Sequence, residues 1–152
     1  MKTIERQIEV RAPLGAVYDQ WTRFEDFPLF MEDVYAVQQL DGSHIRWLAG
    51  FAGAERTWDS EIVSREPGWR IVWTGFIHED GGGEVTFSPV GLTRTVVRVR
   101  VSFEPRGRLE RLAASLGLVS RRMAGDLWCF KAFVQDHSAD LITSFLRRFD
   151  PG

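Results

Sequence analysis

The chain has 152 residues, of which 44% are hydrophobic and 26% charged. That is the profile of one globular domain and excludes disorder, collagen and coiled coil as the main architecture. Its 19 basic and 21 acidic side chains leave a net charge of −2, so no global basic field exists to hold nucleic acid. A single cysteine, Cys129, excludes an internal disulfide and a multi-cysteine metal site.

Residues 3–11 alternate, with Ile4, Ile8 and Val10 on one face, and predict a half-buried strand whose apolar face is interrupted by Arg6. Ala12-Pro13 ends it and suits a helix start. Val17 and Trp21, four apart, predict a short helix over 14–22. Phe24, Phe27, Phe30 and Met31 crowd around Pro28, which predicts a second short helix or a tight turn.

From 32 to 104 the period is two. Strands are predicted over 33–40, 44–51, 55–65, 69–77, 83–89 and 93–104. Turn signals separate them at Asp41-Gly42, Ala52-Gly53, Pro67-Gly68, Gly81-Gly82-Gly83 and Pro89-Val90-Gly91. The glycine run lacks the Lys and Ser/Thr of a phosphate loop and reads as a flexible hairpin tip. In the last strand Thr95, Val97, Val99, Val101 and Phe103 share one face.

After Pro105-Arg106-Gly107 the period becomes 3.6. Leu109, Leu112, Leu116, Val119, Met123, Leu127, Phe130 and Val134 fall within one arc, which predicts a long amphipathic helix interrupted near Gly117. The stripe runs on toward His137, Leu141 and Phe145, while Ile142, Leu146 and Phe149 spread to other faces. Residues 1–136 therefore read as one domain and 137–152 as a helical extension or tail. No apolar run approaches the ~18–20 residues needed to span a bilayer. Met1–Arg6 has no signal-peptide core, so a cytoplasmic location is expected.

An antiparallel sheet with one face to cover needs a second layer. The order of strand, two short helices, six strands and one long helix resembles the helix-grip fold of the START and Bet v 1-like (SRPBCC) superfamily. Within it, the chain is most similar to the polyketide cyclase/dehydrase and coenzyme-Q-binding-protein-like family. The resemblance covers about residues 3–136. It is carried by Val10-Arg11-Ala12-Pro13 with Val17-Tyr18, by the stretch from Trp21 to Met31, and by Trp58-Asp59-Ser60-Glu61-Ile62. Trp73, Gly125-Asp126-Leu127 and Phe130-Lys131 carry the rest.

This resemblance implies an α+β fold: a curved seven-stranded antiparallel sheet around one long C-terminal helix, two short helices after strand 1, and an internal ligand cavity. The aromatase/cyclase subgroup it points to places an Arg four residues after a Trp on a central strand. Here Ile62 stands four after Trp58, and Arg65, at odd spacing, is expected on the opposite face. The resemblance thus carries over the cavity and leaves catalytic residues unassigned.

Alternation puts Trp47 on one face with Ile45 and Ala49, Trp58 with Ser60 and Ile62, and Trp73 with Ile71 and Gly75. If those faces look inward, three indoles, each with one N–H donor, line an apolar cavity. The small residues beside them leave room for a flat ligand. Trp21, Phe27, Phe30 and Met31 from the short helices, Phe87 from the sheet, and Met123, Leu127 and Phe130 from the long helix complete the expected lining. Phe27, Pro28, Phe30 and Met31 form either an apolar gate or a plug.

Glu61, Arg46 and Arg70 are expected to point outward. An inward Asp126 would have a raised pKa and suit general acid or base work, against the commoner outcome of pairing with an arginine. His44, His78 and His137 have no ligand spacing, so neither metal nor cofactor is expected. Cys129 reads as a buried inert thiol, and no Gly-x-Ser-x-Gly elbow is present.

Residues 105–152 carry 8 basic and 5 acidic side chains, read as a solvated helix face. Trp128 lies opposite the apolar stripe and, with Leu146 and Phe149, predicts a homodimer contact or a tail that folds back. The expected function is binding of a small hydrophobic molecule, a quinone, lipid or aromatic polyketide-like compound. The alternatives are a polyketide cyclase/dehydratase-type enzyme and a protein–protein interaction module.

Overall fold

In the computed structural model, which describes the backbone of residues 1–148 and the side chains of residues 1–137, the alternating segments form one seven-stranded antiparallel sheet. Its strands are β1 (Lys2–Val10), β2 (Val34–Gln39), β3 (His44–Phe51), β4 (Ala54–Glu66), β5 (Arg70–Phe76), β6 (His78–Val90) and β7 (Arg94–Phe103). Strands β2 to β7 form a meander, and β1 pairs with β7, Val10 opposite Thr95 and Lys2 opposite Phe103. Helix α1 (Leu14–Trp21) and a short 3-10 helix (Phe24–Leu29) follow β1; α2 (Gly107–Ser115) and α3 (Leu118–Arg148) follow β7. The result is a curled half-barrel gripping α3, an α+β helix-grip fold.

Polar bonds fix the helix to the first strand. The Arg6 Nε–H donates to Ser120 Oγ at 2.8 Å, and the Arg11 backbone N–H donates to Gln135 Oε1 at 2.9 Å. The inward row of β7, from Thr95 to Phe103, is wholly buried. Val10, Val17, Phe87, Val97 and Phe130 close the core at this end, completely shielded from solvent.

The glycine run 81–83 is not a hairpin tip. It lies inside β6, paired with both neighbours: Gly83 is opposite Trp73 on β5 and Val101 on β7. A Cβ on Gly83 would lie 2.6 Å from Trp73 Cζ2 and 2.7 Å from the Arg100 carbonyl oxygen, so a hydrogen there admits the Trp73 ring. The turn between β5 and β6 falls at Ile77, with φ 66°. A β-branched residue in that region is strained, and Ile77 is held by burial against Phe103 and Val119.

A bulge in β4 changes a second expectation. Ile62 pairs with Trp73 and Ser64 with Val72, so Val63 is the inserted residue and Arg65 comes opposite the buried Ile71. Arg65 therefore joins the concave side, at the rim, with its guanidinium carbon 5.8 Å from the Phe24 ring centre.

The single long stripe is also revised. The helix breaks at Gly117 (φ 71°), giving α2 a direction of its own. Leu109, Leu112 and Leu116 are exposed, while Glu110 and Ala113 turn inward. Cys129, expected to be buried, is exposed. Beyond residue 136 the backbone of α3 continues to Arg148. The side chains of Leu141, Ile142, Phe145, Leu146 and Phe149 lie outside the described residues.

Candidate functional site

Between the sheet and α3 lies a cavity of about 690 Å³, within the range of small-molecule pockets. The register places Trp47 opposite Trp58 and Ile62 opposite Trp73, so three strands present indoles to the same space. Rings stack along this wall. Phe27 lies on Trp47 with centroids 5.5 Å apart and planes at 27°, and Trp47 lies on Trp58 at 6.1 Å and 11°. Phe76 meets Trp58 edge-on at 5.9 Å. Offset stacks and edge contacts suit the ring quadrupoles.

Ten of the thirteen residues expected from sequence line this cavity: Trp21, Phe27, Met31, Trp47, Trp58, Ser60, Ile62, Trp73, Met123 and Leu127. Phe30, Phe87 and Phe130 do not. They are buried behind it, where Phe87 and Phe130 pack edge-on against Trp21 and Phe30 packs on Phe130 and Phe133. Phe27 and Met31 face the cavity while Phe30 closes the core, so the aromatic cluster around Pro28 serves as both wall and plug. Arg46 and Arg70 point outward, paired with Asp59 and Glu84.

Two polar features of the wall differ in what they leave unused. Ser60 Oγ donates to the Gly75 carbonyl at 2.6 Å across β4 and β5, so its proton is already committed. Trp47 Nε1–H is buried and has no acceptor among the described residues. An unsatisfied buried donor costs free energy that an incoming acceptor would recover.

Charge is gathered at one end. The exposed lining residues Gly53, Leu118, Arg121 and Arg122 mark the mouth, between the β3–β4 turn and the α2–α3 junction. Arg122 is held by two carboxylates that precede β2, Nη1 to Glu32 Oε2 at 2.9 Å and Nε to Asp33 Oδ2 at 2.8 Å. Asp126, one turn further along α3, lines the cavity itself. Burial pushes its carboxyl up to about 7, helped by the charges of Asp33 and Glu32 and opposed by that of Arg122 and by the Glu32 backbone N–H. Asp126 is therefore a carboxyl group that exchanges its proton near neutrality, facing an apolar space.

Sequence reasoning missed the device that holds the mouth in shape. Glu110 of α2 is 2% exposed. Its Oε1 accepts from His78 Nε2 at 2.7 Å and from the Arg106 backbone N–H at 3.1 Å, and its Oε2 lies 3.2 Å from Arg56 Nη2. Burial raises the Glu110 pKa, but the His78 hydrogen bond, the Arg106 N–H and the His78 and Arg56 charges outweigh it and hold the carboxyl below its usual range. The 3.6 period marked the leucines of this helix as inward; a glutamate flanked by three arginines gave no sign of being the buried one. Trp128 is 62% exposed, with Lys131 Nζ 5.3 Å from its ring centre.

A family model described as polyketide cyclase/dehydrase and lipid transport matches residues 10–131. An uncharacterized 17.2 kDa protein of Streptomyces lincolnensis is 33% identical over 141 residues, spanning 92% of this chain and 94% of its own. Among solved structures, a protein of Deinococcus radiodurans is 26% identical with a TM-score of 0.66, covering 86% of this chain and 95% of its own. The Zhui aromatase/cyclase of a Streptomyces species superposes with a TM-score of 0.76 over 88% of this chain and 93% of its own; at 15% identity the likeness is one of fold.

Proposed function

The chain belongs to the polyketide cyclase/dehydrase and lipid transport family, and from that premise we propose that it binds a flat, apolar, carbonyl-bearing molecule of the quinone or aromatic polyketide class. The stacked wall of Phe27, Trp47 and Trp58 carries this reading. Aromatic rings ranged along one side of a cavity offer more to a fused planar ligand than to a flexible acyl chain, since ring–ring contact adds to plain area burial. The unpaired Trp47 Nε1–H supplies a donor for a carbonyl oxygen. Asp126 at the mouth supplies a proton-bearing group for the ligand's polar end.

Native mass spectrometry of the purified protein, followed by solvent extraction, tests this directly. The expected result is a released aromatic compound, with quinones and aromatic polyketides quenching tryptophan fluorescence saturably. A clean apo mass with no quenching by either class would overturn it, and quenching by fatty acids alone would reassign the ligand to lipid.

A second reading, cyclase or dehydratase chemistry, is favoured by one observation: Asp126 combines cavity access with a carboxyl poised near pH 7, which suits proton transfer on a β-keto chain. Turnover of a poly-β-keto thioester mimic, lost in Asp126→Asn while binding is kept, would establish it. Unchanged turnover in that variant would remove it.

A further inference from the structure

We infer that the outer face of α2 docks this protein onto an anionic lipid surface, with the cavity mouth beside the contact. The face is built from Leu109, Leu112 and Leu116, at helical spacings of three and four, which are 63%, 53% and 56% exposed. Among the described residues nothing covers them, because α2 turns Glu110 and Ala113 inward instead. Three adjacent leucines left in water on one helix are more apolar surface than scattered exposure explains.

The segment that carries this ridge is predominantly basic. Residues 105–122 hold five arginines and one glutamate, a net of +4 in a chain whose total is −2. The one glutamate, Glu110, is buried. Arg106 and Arg122 are paired, with Asp80 and with Glu32 and Asp33. Among the described residues, Arg108, Arg111 and Arg121 form no salt bridge, and all three are exposed. Unpaired arginines flanking a leucine ridge are the makeup of a helix that lies in the headgroup region of an anionic bilayer. A protein-contact surface would be expected to centre on an aromatic anchor, and this ridge has none.

Position adds a third argument. Leu118, just past the Gly117 break, is exposed and also lines the cavity, and Ala113 lines it from the inner face of α2. The ridge and the mouth are thus two sides of one short segment. Glu110, fastened to His78, Arg106 and Arg56, holds that segment rigid, so docking needs no ordering step. The inference stands on the outer face of α2 and is independent of which molecule the cavity holds.

The test is co-sedimentation of the full chain with phosphatidylcholine vesicles, with and without about one-third phosphatidylglycerol. Binding is expected on the anionic vesicles, at least about tenfold weaker on phosphatidylcholine alone, and reduced by high salt. Two variants, Leu109→Ser/Leu112→Ser/Leu116→Ser and Arg108→Glu/Arg111→Glu, should each lose about tenfold or more. Both should keep their melting temperature and fluorescence response to cavity ligands, since these five residues lie outside the cavity. Should the leucine variant fail to fold, the arginine variant alone decides. No binding to anionic vesicles, equal binding to both compositions, or full binding by the arginine variant overturns the inference. Loss of self-association in the leucine variant without any vesicle binding would do the same, by making the ridge a contact between copies.

Discussion

The two ends of the curled sheet obey the same inward alternation and reach opposite outcomes. At the β1–β7 end, Val10, Phe87 and Val97 meet Val17 and Phe130 from the helices, and no space is left. At the β3–β5 end, Trp47, Trp58 and Trp73 are larger still, yet they face Val119, Met123 and a break at Gly117, and a cavity remains. Residue size on the sheet does not decide between core and cavity. What decides it is whether the opposing layer delivers a side chain to the same point.

The sharpest way to break this comparison is to truncate one ring at each end. Phe130→Ala should cost about 3–5 kcal/mol of stability by leaving a void in a filled region, measured by urea unfolding. Trp58→Ala should cost clearly less, because its ring already borders empty space, while weakening ring-ligand affinity at least about tenfold in fluorescence titration. Equal losses of stability would mean the two ends are packed alike.

The rim offers the next test. Glu110→Gln removes the charge that binds α2 to His78 and Arg56 and should cost about 2–3 kcal/mol at pH 7. The folded carboxyl titrates below its unfolded value, so this advantage is complete above the unfolded pKa and is lost as pH falls through the lower folded one. Unfolding curves of wild type and variant should therefore converge in acid.

Asp126 has the opposite sign. Its folded pKa, about 7, lies above the unfolded value of 3.8, so the stability it contributes is complete below the unfolded value, declines as pH rises between the two, and is gone above the folded one. Asp126→Asn should melt about 2–4 °C higher than wild type at pH 8 and match it below about pH 4, read by calorimetry. Smallest in effect, Trp47→Phe should keep the ring stack but lose the N–H. The variant should bind a quinone roughly three- to tenfold more weakly, with unchanged affinity for a carbonyl-free aromatic.

Much of this architecture was legible because alternation and the switch to a 3.6 period are long-range signals. The β7 row and the helix stripe from Val119 to Val134 survive any local disturbance. Features set by neighbours were not legible. Gly81–Gly83 look like a turn in isolation, yet they are glycines because Trp73 and the backbones of β5 and β7 come too close for a Cβ. Ile77 makes the turn without any turn residue, since tertiary burial overrides its local preference. The bulge at Val63 reverses Arg65 after a correct reading of the strand itself. In the site, the three indoles could be assigned a face from sequence, but the absence of a partner opposite them could not. That is why Phe30, Phe87 and Phe130 read as lining and are core.

The pairing of β1 with β7 sets a timetable for making the protein. Each neighbouring pair from β2 to β7 is joined by a short turn, whereas Val10 must wait for Thr95 and Lys2 for Phe103. At roughly 5–20 residues per second, the ribosome leaves β1 without its partner for roughly 5–20 seconds. Contacts so distant along the chain also form late in refolding. Until then Ile4, Ile8 and Val10 are uncovered beside an open strand edge, and the nascent protein is at its most vulnerable to pairing with a second copy.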